Sequence, residues 1–241
     1  MQVSRAINFI FEDEQWVSKL LIGALISLIP IFGGFAIMGY AVAVLRNVQE
    51  GQMRPLPKWD RLGDYFVDGL LIWVATFVYS IPLIILMCPL IFVWVLPAVG
   101  GDSEDLTAIL GGIAGIISLG VGCLAFLYGL LLWLLSPVIQ IRFAETGKLG
   151  PCLRFGEVFQ FLFANIGSIV IAQLLVAAAG IVVSTVLGGV ISVLSLIPIC
   201  GWIVGAVLGL AMIPVGVWVL VFGAHLYAQI SEQARSKAAY V

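Results

Sequence analysis

The chain has 241 residues, of which 62% are hydrophobic and only 10% charged, and its formal net charge is -2. Soluble domains run at about 45–50% apolar and about 25% charged. A water-soluble core cannot hide this much apolar side chain, so the bilayer must be the solvent for most of it, and the slight negative charge argues against a nucleic-acid partner.

At the N-terminus, Val3, Ile7, Ile10 and Phe11 recur at helical spacing. That pattern predicts a short amphipathic helix lying in the membrane interface. Glu12, Asp13 and Glu14 follow, where a secretory leader would carry bases, and no small-x-small cleavage site comes after them. The chain is therefore expected to be inserted whole, with this acidic run a solvated loop beside a helix.

The next apolar stretch, Trp16 to Leu45, is long for one span and short for two, with Pro30, Gly33 and Gly34 at its middle. Four longer stretches follow: Leu70 to Leu96, Leu106 to Ile141, Ala164 to Leu196 and Gly201 to Ile230. Each exceeds the roughly 20 residues that span a bilayer core, so tilt or extension beyond the core is expected.

All the bases fall in four places. Arg5 precedes the first stretch and Lys19 lies in its opening turn, Arg46, Arg54, Lys58 and Arg61 precede the second, and Arg142, Lys148 and Arg154 the fourth, while Arg235 and Lys237 lie in the tail. The loop from Pro97 to Asp105 holds Asp102, Glu104 and Asp105 and no base. Basic loops stay in the cytoplasm. If the Trp16–Leu45 stretch crossed once, Arg5 and Lys19 would face the opposite side from Arg46. If it enters and returns, every base shares one side, and this second reading is favoured. Val17–Leu28 then runs in and Phe35–Leu45 runs out, each arm about 18 Å long, short enough to be re-entrant.

Two repeats support this organisation. Ser-Leu-Ile-Pro-Ile occurs at 27–31 and again at 195–199, each followed by a glycine, which marks turns at Pro30 and Gly33 and at Pro198 and Gly201. Arg61-Leu62-Gly63-Asp64-Tyr65-Phe66 resembles Arg154-Phe155-Gly156-Glu157-Val158-Phe159. Both read as amphipathic helices, with Arg61 and Asp64, and Arg154 and Glu157, paired at i, i+3. The expected fold is all-α, a polytopic membrane helix bundle forming one domain over 1–241. It has three units, about 1–46, 55–142 and 151–231, with 232–241 a cytoplasmic tail. Each unit is an interfacial helix followed by a helical hairpin: four long spans plus the short N-terminal hairpin.

Lipid gives helices no hydrophobic reason to associate, so small residues must let them approach. Gly201, Gly205 and Gly209, and Gly111 and Gly115, are the candidate packing positions. They serve contacts within the chain, or a homo-oligomer or another membrane protein. Pro82, Pro89, Pro137 and Pro214 should kink their helices and strand carbonyls that neighbours or water must satisfy.

Chemistry-bearing residues are few. No charged residue lies between Leu70 and Leu96 or between Ala164 and Gly223, which counts against ion-coupled transport. His225, the only histidine, forms a candidate polar patch with Tyr227 and Gln229. It reads as a pH-sensitive or ligand-binding group, or more plainly as an interfacial hydrogen-bonding residue. Gln140 and Gln173 suit interhelical hydrogen bonds. Cys88, Cys123, Cys152 and Cys200 are scattered and imply neither a disulfide framework nor a zinc site. No nucleophile elbow, metalloprotease helix or phosphate loop occurs. No enzyme, cofactor or metal is expected.

Phe11 to Trp16, Leu28-Ile29-Pro30, Gly39-Tyr40 to Arg46, and above all Pro55-Leu56-Pro57-Lys58-Trp59-Asp60-Arg61-Leu62-Gly63-Asp64 to Gly69 resemble domain of unknown function 4013. Arg154 to Glu157 and Ala224 to Tyr227 fit as well. The resemblance implies a prokaryotic plasma-membrane protein and supplies no activity or catalytic residue. The expected role is non-enzymatic, through packing and contacts with lipids or partners, with both termini cytoplasmic. The alternative is a passive channel or transporter component for a small or apolar solute.

Overall fold

A computed structural model describes residues 2–95, 97–98, 103–197 and 200–239. Among them every regular element is a helix: α1 (Val3–Phe11), α2 (Trp16–Ser27), α3 (Phe32–Gln49), α4 (Leu62–Val93), α5 (Glu104–Thr146), α6 (Leu149–Cys152), α7 (Phe155–Ala164), α8 (Ile166–Leu194) and α9 (Cys200–Ala239). Four of these, α4, α5, α8 and α9, are long and apolar enough to cross a membrane. Their outer faces carry exposed Ile85, Ile116, Phe126, Ile181 and Ile203, the surface a helix presents to lipid rather than to water.

The short helix α3 is the hub. It packs against α2, α4, α5 and α9. Tyr40, Ala41, Val42, Val44 and Leu45 are fully buried, so neighbours enclose this part of the helix on every side. The tightest approach is between α3 and α4, through Gly39 and Gly69. A Cβ on Gly39 would strike the Tyr65 backbone carbonyl, and one on Gly69 would strike that of Phe35. Both obstacles are main chain and cannot swing aside.

The two Ser-Leu-Ile-Pro-Ile segments share one device. In the first, Leu28 N–H reaches Leu25 O (3.3 Å), Ile29 N–H reaches Ile26 O (3.0 Å) and Gly33 N–H reaches Ile29 O (2.8 Å). The second repeats each bond at the same offsets: Leu196 to Val193 (3.2 Å), Ile197 to Leu194 (2.9 Å) and Gly201 to Ile197 (3.1 Å). A Cβ at Gly33 would meet Ile26 O and one at Gly201 would meet Leu194 O, again equivalent atoms. Glycine is required in both because the next helix starts hard against the end of the last. Pro198 lies outside the described residues, as do Leu96 and Asp102 of the far loop. Ile31 takes a left-handed φ of 66°, strained for a β-branched side chain, to redirect the chain into α3.

Several expectations change in detail. The stretch around Arg61–Phe66 is not a separate interfacial helix. It is the first turns of α4, which runs unbroken from Leu62 to Val93, because nothing there interrupts the backbone ladder. By contrast α7 and α8 are separated at Asn165. α5 extends to Thr146, and α9 continues through the expected tail as far as Ala239. Asp13 is not solvated: it is buried against Lys19. Asp68 reaches Arg46, at 3.8 Å, and Arg154 pairs with Glu157 at 3.1 Å. A Cβ at Gly111, Gly115 or Gly209 would meet nothing, and Gly205 has only ordinary contacts. Of the candidate packing glycines, Gly201 alone sits against main chain.

Gly39→Ala is expected to destabilise the protein by about 1–3 kcal/mol, the range for overpacking a tight contact. Gly111→Ala and Gly115→Ala, in the open interior of α5, should instead leave it unchanged or stabilise it by up to about 1 kcal/mol. Thermal unfolding in detergent distinguishes the two; equal effects would contradict the α3–α4 approach.

Candidate functional site

Side-chain donors gather at the end of the bundle where α2 and α4 begin and α3, α5 and α9 end. The segment between α3 and α4 has no regular structure from residue 55 to 58. Pro55 and Pro57 have no N–H, so the segment cannot join a backbone ladder, yet its carbonyls still need donors. Four side chains supply them. Asn47 Nδ2 donates to Pro55 O (2.9 Å), Lys19 Nζ to Leu56 O (2.8 Å), Tyr40 OH to Pro57 O (3.1 Å) and Tyr65 OH to Lys58 O (2.7 Å). Trp59 closes the set. Its ring stacks on Tyr40 at 4.0 Å, and its Nε1 donates to Lys19 O at 2.8 Å. The Pro-Leu-Pro-Lys-Trp motif is thus a strap holding α2, α3 and α4 together.

Lys19 is buried and needs a counter-charge. Asp13 Oδ2 lies 2.6 Å from Nζ, and Asp13 Oδ1 accepts from Gln15 N–H at 2.9 Å. Burial alone would raise the Asp13 pKa. The bonds from Lys19 and Gln15, with the positive field of Lys19 and Arg54, outweigh it and hold the carboxyl below its ordinary range.

Deeper in the bundle, Pro137 has no N–H for the carbonyl of Trp133, one turn earlier. Gln173 Nε2 of α8 donates to Trp133 O, and Gln173 Oε1 accepts from Tyr227 OH of α9 at 2.6 Å. The stranded carbonyl thereby ties three helices together. Gln140, in contrast, bonds Ser136 within its own helix at 3.3 Å. Near Pro82, Tyr79 O accepts from Tyr128 OH (2.8 Å), while Tyr79 OH donates to Cys152 O (2.9 Å).

The expected patch divides. Tyr227 turns to Gln173, whereas His225 and Gln229 face α1. Gln229 accepts from Gln2 N–H (2.7 Å) and donates to Gln2 O (3.2 Å), engaging one residue's backbone as a neighbouring strand would. Its Nε2 also lies 3.1 Å from His225 Nδ1, which therefore accepts in the neutral ring. Phe9 stacks on His225 at 4.4 Å. Beside them is a cavity of about 400 Å³, whose walls include Arg5, Glu12, His225 and Glu232. A third group surrounds Glu145, which meets Arg235 at 3.3 Å and Arg142 at 3.8 Å. Among the described residues no cluster of three or more His, Cys, Asp or Glu side chains could hold a metal.

Sequence reasoning named His225, Gln229, Tyr227 and Gln173 but missed Lys19, Tyr40, Trp59 and Tyr65 as a unit. One signal was present: a lysine inside an apolar stretch must find partners, and a Pro-x-Pro segment nearby has carbonyls in need.

Gln173→Leu strands both the Trp133 carbonyl and the Tyr227 hydroxyl and should cost about 1–2 kcal/mol. In the double variant with Tyr227→Phe the losses should be less than additive; strict additivity in thermal unfolding would refute the relay. Asp13 gives a pH dependence. Because its folded pKa lies below the unfolded value, its contribution is complete above the ordinary carboxylate pKa and disappears as pH falls through the folded one. The Asp13 contribution, read as the difference in stability between wild type and Asp13→Asn in the same pH scan, should therefore be level from pH 7 to about 5 and fall below about pH 4.

The family model described as "Protein of unknown function (DUF4013)" matches residues 22–197. The match takes in α3, the strap and α4 to α8, with the second half of α2, and leaves out α1 and α9. No curated protein and no solved structure matches the chain. With most of its length covered, and with the strap motif inside the match, the chain belongs to the DUF4013 family.

Proposed function

We propose that the chain is a polytopic protein of a prokaryotic plasma membrane, with its basic end and both termini in the cytoplasm. It acts without catalysing a reaction, through contacts with lipids and membrane-protein partners. The observation that carries this reading is the convergence of charge. Lys19, Arg46, Arg54, Arg142 and Arg235, from separate parts of the sequence, all make their ion pairs at one end of the bundle. Bases retained on one side are what the positive-inside rule requires of cytoplasmic loops.

The first apolar stretch then enters and returns as a short hairpin. Its start and the segment after its end are joined by the Lys19–Leu56 and Trp59–Lys19 bonds. At 12 and 18 residues, α2 and α3 reach about 18 and 27 Å into a core about 30 Å thick. The enclosed side chains of α3 fill the centre of the bundle. That weighs against a passive path along its axis.

Single cysteines in a cysteine-free background test the topology. Ser4→Cys and Ser236→Cys should react with an impermeant maleimide only from the cytoplasmic side, and Ser103→Cys only from outside. Labelling of Ser4→Cys and Ser236→Cys from opposite faces would overturn the arrangement. In proteoliposome swelling assays, solute entry should match that of protein-free vesicles; faster entry would favour a channel.

A further inference from the structure

The cytoplasmic ends of α5 and α9 line, with α7 and its junction with α8 at Asn165, an open cavity of about 530 Å³. Its lining includes Arg142, Arg235, Glu145, Glu157, Gln160 and Asn165. Arg142 is held in place but poorly satisfied. Its Cζ sits 5.1 Å from the centroid of the Phe161 ring, a cation–π contact that fixes the guanidinium. Its Nε is buried without a hydrogen-bond partner. Its carboxylate contact, to Glu145, is 3.8 Å, well beyond the usual 2.7–2.9 Å or so of a charge-assisted bond. An arginine has five N–H donors in a planar fork suited to a phosphate.

Two arginines and two glutamates line the cavity, and Arg154, which pairs with Glu157 from outside the lining, brings the local charges to an excess of one. Arg154 offsets Glu157 at 3.1 Å, and Arg235 offsets Glu145 at 3.3 Å. Arg142 is left with only the distant edge of a carboxylate already engaged. A site with one spare positive charge, two further amide side chains and an under-bonded guanidinium suits a singly charged phosphodiester.

The surroundings indicate where that phosphodiester comes from. α7 is an amphipathic helix at the basic end of the bundle. Immediately beyond the cavity, Phe163 and Ile166 are 62% and 41% exposed. They flank the lining residues Ala164 and Asn165 in sequence and give the cavity an exposed apolar neighbour at the junction of α7 and α8. A lipid headgroup in the cavity would place its acyl chains along these side chains.

We infer that the cavity between α5, α7, α8 and α9 binds the phosphodiester of an anionic glycerophospholipid of the cytoplasmic leaflet, with Arg142 as the principal contact and Arg235 as the second. The site rests on the membrane reading proposed above and names the headgroup chemistry that reading left open.

The full-length protein, purified in detergent, tests it by native mass spectrometry and thermal unfolding during titration with phosphatidylglycerol. The wild type should retain one phosphatidylglycerol and unfold at a higher temperature when it is added. Arg142→Gln should weaken this binding about tenfold or more, equivalent to about 1.4 kcal/mol. Arg235 is half-exposed, so Arg235→Gln should fold whatever becomes of Arg142→Gln, and it should weaken binding as well. Arg54→Gln, which breaks the ion pair with Glu14 elsewhere, should bind as the wild type does. Wild-type affinity in Arg235→Gln, together with wild-type affinity in any Arg142→Gln that folds, overturns the inference. Equal stabilisation by glycerol phosphate at the same concentration overturns the lipid source and assigns the site to a soluble phosphate ester. Recovery of the wild type in the soluble fraction sinks the membrane reading itself, whereas a membrane-inserted wild type that ignores phosphatidylglycerol sinks only this site.

Discussion

A backbone carbonyl removed from water must be given a donor, and proline takes donors away. In this chain the shortfall arises at Pro55 and Pro57 and again at Pro137, and each time side chains make it good. At the strap, Asn47, Lys19, Tyr40 and Tyr65 each serve one of four successive carbonyls. At Pro137, Gln173 serves Trp133 and is itself fixed by Tyr227. The helices carrying these donors are therefore held in register by backbone demand. In lipid this matters more than in water, because burying apolar surface against another helix gains little over burying it against acyl chains.

Close packing supplies the rest. Gly39 and Gly69 bring α3 and α4 into main-chain contact, which positions Tyr40 and Tyr65 around Trp59. Once the three rings are set, the strap can close over them, and Lys19 can reach both Leu56 O and Asp13. The buried ion pair is thus a consequence of the aromatic cluster beneath it. Its value lies in anchoring the start of α2, since a buried pair by itself is weak evidence of stability.

The parts of the fold that depend on neighbours in sequence were legible. Apolar runs gave the four long helices, and the repeated Ser-Leu-Ile-Pro-Ile with its glycine pointed to a turn whose three hydrogen bonds recur in both copies. What depends on distant contacts was not. Nothing local distinguishes Gly39 and Gly69, which touch main chain, from Gly111 and Gly115, which touch nothing. Asp13 looked like one of three solvated acids because its partner is six residues on, across a turn. The unbroken start of α4 was obscured for a different reason: its likeness to the Arg154 stretch was real in sequence, but only the latter is cut off by a non-helical residue at Asn165. His225 and Tyr227 share α9, but residues two apart on a helix point to different sides, and their partners are on α1 and α8.

The clamp between Gln2 and Gln229 joins residues 227 positions apart. During synthesis α1 emerges long before α9 exists, so its buried face, with Ala6, Phe9 and Ile10, has no protein to meet while the helices between are inserted. An amphipathic helix in that position can wait on the membrane surface, its apolar side shielded by lipid. Its docking onto α9 can then occur only after the whole bundle has been threaded. The seat of α1 on His225 and Gln229 thus exists only once the helices between α1 and α9 have been made.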